Sequence, residues 1–126
     1  MPQWRKALSV LAARSKIDSA AIFDMNGNLL SRTENFAEKQ EDIMAVLHVL
    51  TSSNQLKLIK LSVFGDVFTC VCPGQAGVLL ANSEGRLFVA VRTLKCMVIA
   101  FSNEEARGSC LYHVMEFCKM LESKGG

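Results

Sequence analysis

The stretch from residue 57 to residue 101 constrains the fold most, because short apolar segments alternate there with glycine-containing turns. In KLIKLSV, at residues 57–63, apolar side chains alternate with Lys60 and Ser62, which is the period-two pattern of a half-buried strand. Short turns between consecutive strands favour antiparallel pairing, so we predict a mostly antiparallel sheet. The predicted strands are KLIKLSV (57–63), VFTCVC (67–72), GVLLAN (77–82), LFVAVRT (87–93) and CMVIAF (96–101).

A further hairpin precedes these strands and consists of SAAIFD at residues 19–24 and NLLSR at residues 28–32. Asn26-Gly27 lies between them, and because both residues tolerate positive φ, we predict a two-residue type I′ turn. Asp24 beside this turn is a candidate calcium ligand, but the alternating oxygen donors of an EF-hand are missing. A carboxylate that stabilises the turn is the favoured interpretation of Asp24.

Three segments have the apolar spacing of amphipathic helices. They cover residues 2–15, residues 38–50 and a final segment after the strands. For the final helix, Ser102 and Glu105 have the spacing of a capping box. Its predicted buried face consists of Ala106, Cys110, Val114, Phe117 and Leu121. The order of elements predicts one α+β domain that spans residues 1–126.

The composition narrows the possible classes of function. Half of the 126 residues are hydrophobic and 21% are charged, which is typical of a folded domain with an apolar core. The apolar runs are too short to span a bilayer and the N-terminus lacks the features of a signal peptide, so we expect a cytosolic protein. The net charge of +2, with lysine and arginine scattered along the chain, argues against a nucleic-acid binder.

The reactive side chains do not form a recognisable catalytic or metal-binding motif. Five cysteines without a secretory signal predict reduced thiols, and the C-x-C of Cys70 and Cys72 lacks the second paired motif of a zinc site. The two histidines, His48 and His113, fall within predicted helices, and no nucleophile elbow or phosphate-binding glycine loop is present. We therefore expect a binding protein without enzymatic activity, metal or cofactor.

Several short motifs follow one another along the chain: Trp4, Ala20-Ala21-Ile22, Gly27-Asn28-Leu29-Leu30, LSVFGDVFTCV and Arg92-Thr93 before the last strand. Together with the order of elements, these motifs resemble the profilin family over essentially the whole chain. The resemblance implies an α+β fold with a mostly antiparallel central sheet, the N- and C-terminal helices on one face and the middle helix on the other. It also implies a monomeric, cytoplasmic protein of the cytoskeleton that binds monomeric actin and regulates filament assembly.

In this family, a groove between the two terminal helices binds proline-rich peptides, whose preformed helix docks on flat aromatic side chains. The resemblance assigns to this groove Trp4, Ala7, Leu30, Met120 and Leu121. Ala7 stands where the family usually has tyrosine, Leu30 where it has tryptophan, and Met120 where it has tyrosine or histidine. We therefore expect weak or altered binding of proline-rich proteins. Trp4 can equally serve to pack the first helix against the last one.

The family's actin-binding surface combines the middle strands with the start of the final helix. The resemblance assigns to it Cys70, Cys72, Leu111, Tyr112 and Glu116, and proximity in sequence adds the charged residues Lys57, Lys60, Arg86 and Arg107. Glu116 retains an acidic contact position, whereas Tyr112 replaces a residue that is usually basic. Cys72 stands where arginine is common, and Leu80, Asn82 and Ser83 stand where a basic cluster is usual. The expected surface is therefore less basic than in typical members.

Two other functions fit the same layout. A dimerising adaptor of the roadblock or longin type also wraps helices around an antiparallel sheet, and it would pair through an exposed strand or helix. A small-molecule sensor domain would need an internal cavity. For lipids, the resemblance leaves at most a weak phosphoinositide contact through Arg5, Lys6 and Arg107.

Overall fold

A computed structural model of the chain describes residues 8–11, 13, 17–36, 39–51, 60–71, 77–103 and 107–123. The strands are β1 (Ser19–Asp24), β2 (Leu29–Arg32), β3 (Lys60–Val63), β4 (Asp66–Val71), β5 (Val78–Ser83), β6 (Arg86–Arg92) and β7 (Cys96–Asn103). The helices are α1 (Gln40–Thr51) and α2 (Arg107–Ser123), and residues 8–11 are also helical. Among the described helices, none has the length and apolar character that crossing a bilayer requires.

The strands form one sheet in the order β2-β1-β7-β6-β5-β4-β3, and every neighbouring pair is antiparallel. From β3 to β7, each strand pairs with the next one along the chain, as the short connections between them require. The first hairpin then extends the sheet, because β1 pairs with the last strand, β7. The mostly antiparallel sheet predicted from the sequence is confirmed.

Side chains alternate between two apolar clusters, one on each face of the sheet. On one face, Ile22 and Val98 pack with Leu8 and Leu11 of the N-terminal helical segment and with the buried side of α2. We call this the terminal-helix face. On the opposite face, the phenylalanines of the sheet pack with α1, and we call this the α1 face. The terminal helices and the middle helix therefore lie on opposite faces, as the resemblance implied.

The local sequence of α1 explains both its start and its packing. Glu41 and Asp42 occupy the first turn, where carboxylates interact favourably with the helix dipole. The buried positions have helical spacing, and each aliphatic side chain buried there stabilises the fold by about 1.5–3 kcal/mol. These buried residues are Ile43, Val46, Leu47 and Leu50.

The first hairpin turn lies where it was predicted but is not of type I′. Gly27 has a φ of +83°, whereas Asn26 does not have a positive φ, and Gly27 N–H donates to the Asp24 carbonyl at 3.1 Å. This is a three-residue connection that ends in a left-handed glycine. The Asp24 carboxylate stabilises it by accepting hydrogen bonds from the N–H groups of Asn26 at 2.8 Å and Asn28 at 2.9 Å.

Two-residue turns with positive φ at both positions occur instead at Phe64-Gly65 and Glu84-Gly85. Such pairs of angles are typical of type I′ hairpins. The strand after the first of these turns begins one residue earlier than the predicted residue 67, because Asp66 already pairs with Val63. A bulky residue such as Phe64 seldom adopts a φ of +55°.

The predicted capping box of Ser102 and Glu105 is wrong. Ser102 is buried within β7 and pairs with Leu87, and the strand includes Asn103, so no helix starts directly after Ser102. The strand continues past its apolar segment because pairing with β6 provides hydrogen-bond partners for its backbone N–H and C=O groups there. Glu105 lies outside the described residues.

Candidate functional site

Part of the terminal-helix face is not covered by α2, which packs mainly on β6 and β7. In the sheet register, Lys60 lies opposite Thr69, and Thr69 lies opposite Asn82. Directly paired residues point to the same face, and Asn82 shares its face with Leu80, two residues earlier, which belongs to the terminal-helix core. Ser62 and Val67 form the next pair on this face. We call the resulting set the open strip: Lys60, Ser62, Val67, Thr69 and Asn82.

The open strip presents mainly neutral side chains to solvent. Val67 is 53% exposed, Lys60, Ser62 and Thr69 are also exposed, and Asn82 is half-buried. Lys60 is the only ionisable member of the strip. Contact with a partner would therefore depend on apolar and neutral polar groups more than on ion pairs.

The outer side of α2 carries three of the predicted contact residues. Tyr112 is 61% exposed, Glu116 is exposed one helical turn further on, and Leu111 is half-buried against the core. The Glu116 carboxylate lies 3.4 Å from Lys119 Nζ. Because both groups are exposed, this pair stabilises the helix by only about 0.5 kcal/mol or less. Glu116 and Tyr112 therefore remain accessible to a partner.

Strand register separates two other predicted residues from Lys60. Cys70 is half-buried and packs against the α1-face cluster. The Arg86 guanidinium also lies on that face, with its carbon 4.6 Å from the centroid of the Phe101 ring, and it donates a hydrogen bond to the Phe64 carbonyl at 3.2 Å. Neighbouring residues of a strand point to opposite faces, so proximity in sequence did not bring these side chains together.

Several predicted positions lie outside the described residues. They are Trp4, Ala7, Lys57 and Cys72, together with Arg5, Lys6 and the side chain of Arg107. The predicted proline groove is therefore described only through its β2 and α2 members.

Leu30 occupies the bulge where the register of β2 on β1 shifts, and it is 37% exposed. It borders an open surface hollow of about 320 Å³ that Arg32 and Glu34 also line. Met120 is half-buried, whereas Leu121 is only 4% exposed within the terminal-helix core. Leu121 therefore packs in the core beneath this surface, and almost none of its side chain is accessible to a ligand.

The Asp24 carboxylate is occupied within its own turn. Besides two backbone N–H groups, it accepts a hydrogen bond from Asn28 Nδ2 at 3.1 Å. These hydrogen bonds, above all that from the Asn28 N–H, lower the pKa of Asp24 below its ordinary value of 3.8. The interpretation of Asp24 as a turn-stabilising residue is confirmed. In the described part of the chain, no three metal-ligating side chains lie close enough together to bind an ion.

Within the described part of the chain, Cys70, Cys96, Cys110 and Cys118 carry thiols and form no disulfide. Cys96, Cys110 and Cys118 are buried in the terminal-helix core. Burial raises the pKa of Cys110 and of Cys118 to about 12, because a thiolate there would lose its hydration. These three side chains therefore act as small apolar packing residues.

The sequence did not assign three members of the open strip, Ser62, Val67 and Thr69, to a binding surface. The period-two pattern does contain a signal for them, because it places Lys60 and Ser62 on one face and Leu61 on the other. It does not indicate which of the two faces stays uncovered. That depends on where α2 lies across the sheet.

Comparison with known proteins gives a consistent assignment. A family model described as Profilin matches residues 2–126. Profilin II of Acanthamoeba castellanii has a similar structure, with a TM-score of 0.85 at 17% identity over 98% of this chain and 100% of that chain. The profilin in a complex of LokiProfilin2 with rabbit actin gives a TM-score of 0.78 at 19% identity over 92% of each chain.

A mouse structure is also similar, that of profilin IIa in complex with a double repeat from the FH1 domain of mDia1. Its TM-score is 0.75 at 12% identity over 99% of this chain and 100% of that chain. No curated protein sequence matches significantly. At these identities the structural likenesses establish the fold, and the family model covers nearly the whole sequence. The chain belongs to the profilin family.

Proposed function

We propose that this protein binds monomeric actin through the open strip and the exposed side of α2, and that it regulates filament assembly in the cytoplasm without covalent chemistry. The observation that carries the proposal is the open strip itself, a solvent-exposed part of the terminal-helix face beside α2 in a chain of the profilin family. Binding there would cover one surface of the actin monomer and so restrict which filament end the monomer can join. The complex of LokiProfilin2 with rabbit actin is a precedent on the same fold.

The chemistry of the surface suits a protein partner. Val67 and Tyr112 are large exposed side chains, and Lys60 and Glu116 are charged groups that fit a polar rim. Interfaces of this kind bury about 1,600 Å² in total, and a few apolar or aromatic anchors contribute most of the affinity. With Lys60 as the only ionisable member of the strip, we expect affinity to depend only weakly on salt.

The experiment is a titration of actin held in the monomeric state with wild type and Val67→Asp, alongside assembly of pyrene-labelled actin. An aspartate at Val67 would bury a charge at the interface and weaken binding roughly tenfold to hundredfold. The matched control is Leu94→Asp, the same type of change at a residue that is 78% exposed in the β6–β7 turn. We expect Leu94→Asp to bind like wild type. An inert wild type, or equal losses in the two variants, would contradict the proposal.

A second ligand class is supported by the hollow beside Leu30 and by the mouse profilin IIa structure with its FH1 repeat. We propose that proline-rich peptides bind there weakly. Leucine offers neither the flat face nor the N–H donor of an indole, and Met120 offers no ring. A fluorescence titration of Trp4 with polyproline tests this, and a spectrum that stays unchanged at millimolar peptide would contradict it.

We also propose that the chain acts as a monomer with one domain. Sedimentation should give the mass of a single chain both with and without proline-rich peptide. A tight homodimer with no effect on actin would instead support the adaptor of the roadblock or longin type.

A further inference from the structure

We propose that Arg86 is a positioning residue for the open strip, although its side chain lies on the opposite face of the sheet. This inference rests on the proposed function of the strip as a binding surface. Arg86 acts through the Phe64-Gly65 turn, which joins the two strands that carry most of the strip.

The contacts of Arg86 converge on this turn. Its guanidinium donates to the Phe64 carbonyl at 3.2 Å, and the guanidinium carbon lies 4.6 Å from the centroid of Phe101 and 5.8 Å from that of Phe68. Phe68 belongs to β4 and Phe101 to β7, so one side chain connects the turn to two strands. A planar guanidinium can stack on rings and donate in its own plane at the same time, which a lysine ammonium cannot reproduce.

The turn needs such support because Phe64 has a φ of +55°, a conformation that bulky residues rarely adopt. Its ring is buried and lies edge-on to three others, with its centroid 5.0 Å from that of Phe101, 5.2 Å from that of Phe88 and 6.3 Å from that of Phe68. The aromatic contacts hold the ring, and Arg86 holds the carbonyl. Both ends of the strained residue are thereby fixed.

The geometry of this turn determines how the strip is presented. Ser62 and Val67 form the strip pair nearest to it, and β3 is the terminal strand of the sheet, where β4 is its pairing partner. A type I′ turn matches the twist of the flanking strands, and a change of register would move alternate side chains to the other face. If Phe64 relaxed to negative φ, the position of Val67 relative to Thr69 and to β5 would change.

The test uses two substitutions, Arg86→Lys, which keeps the charge, and Arg86→Met, which keeps an apolar stem. We expect both to weaken binding of monomeric actin about tenfold at a temperature where circular dichroism shows them to be folded. We also expect both to shift the methyl resonances of Val67 in the actin-free protein. The control is Ile22→Val, a buried change on β1 that lowers stability without altering either quantity.

Three results would overturn the inference. If Arg86→Lys bound like wild type and only Arg86→Met lost affinity, Arg86 would act through its charge alone. If both variants bound like wild type, or if the Val67 methyl signals stayed in place, the turn would not position the strip. Should wild type itself fail to bind actin, the proposed function fails, and the Val67 signals still decide whether Arg86 positions the strip.

Discussion

Phe64 provides a direct test of the turn geometry, because glycine should replace it better than alanine does. Phe64 has a φ of +55° and a buried ring. Both substitutions remove the ring, but only glycine adopts positive φ without steric cost. The order of stability should therefore be wild type, then Phe64→Gly, then Phe64→Ala.

The magnitudes follow from two separate effects. Truncating a buried phenylalanine to alanine lowers the free energy of unfolding by about 3–5 kcal/mol. A left-handed conformation costs a non-glycine residue about 1–2 kcal/mol, and alanine at position 64 still bears that cost. Glycine also has more backbone freedom than alanine in the unfolded chain, and this lowers the free energy of unfolding and offsets part of the advantage. We therefore expect Phe64→Gly to be about 1 kcal/mol more stable than Phe64→Ala.

A matched pair at Val67 serves as the control, because this residue has extended backbone in β4 only three positions away. There the order should reverse, with Val67→Gly about 0.5–1 kcal/mol less stable than Val67→Ala. Urea unfolding followed by circular dichroism measures all four variants. If alanine were the better substitute at both positions, Phe64 would not have the backbone conformation described.

Three further predictions concern the remaining features. Hydrogen bonds lower the pKa of Asp24 in the folded protein, so wild type should be thermally more stable than Asp24→Ala at pH values above 3.8, the ordinary pKa of the group. This advantage should disappear as the pH falls through the lowered pKa of the folded state. Melting temperatures of the two proteins that changed in parallel with pH would contradict this. Iodoacetamide should modify Cys70 in the native protein but Cys110 and Cys118 only after denaturation, since burial raises the pKa of both to about 12. Mass spectrometry after native labelling measures this, and modified Cys110 or Cys118 with unmodified Cys70 would contradict it. Leu30→Trp should tighten the binding of a proline-rich peptide about tenfold, because an indole adds a flat face and an N–H donor; an unchanged affinity in a fluorescence titration would argue against a groove at that position.

The strands and helices could be predicted from the sequence because their apolar periods are regular. Apolar and polar residues alternate around Leu61, and apolar residues recur at helical spacing from Ile43 to Leu50. In both segments the apolar side chains pack in the core of the α1 face, so the pattern in the sequence reflects the fold directly. The end of β7 could not be predicted, because Ser102 fits a helix cap locally and only its pairing with Leu87 decides otherwise.

The types of turn depend on contacts that a local motif does not contain. Asn26-Gly27 suits a type I′ turn, yet the Asp24 carboxylate stabilises a longer one. Phe64-Gly65 has no turn-forming side chain at its first position, and its geometry depends on ring contacts from distant strands. In both cases, a tertiary or side-chain interaction outweighs the local preference.

The binding surface was only partly predictable for a similar reason. Family resemblance and proximity in sequence both identify positions along the chain, and together they grouped Lys60 with Cys70 and Arg86 as actin contacts. The register of the sheet places Lys60 on one face and the other two on the opposite face. Which strands remain open depends on the placement of α2, which is a property of the assembled fold.

The most direct test of the proposed function is methyl NMR of the labelled protein during addition of unlabelled monomeric actin. Val67 in the open strip and Met44 on the exposed side of α1, which is 42% exposed, report on opposite faces of the sheet. We predict that the Val67 signals shift or broaden at stoichiometric actin while the Met44 signal stays in place. A response at Met44 with Val67 unchanged, or no response at either residue, would contradict the assignment of the open strip as the actin-binding surface.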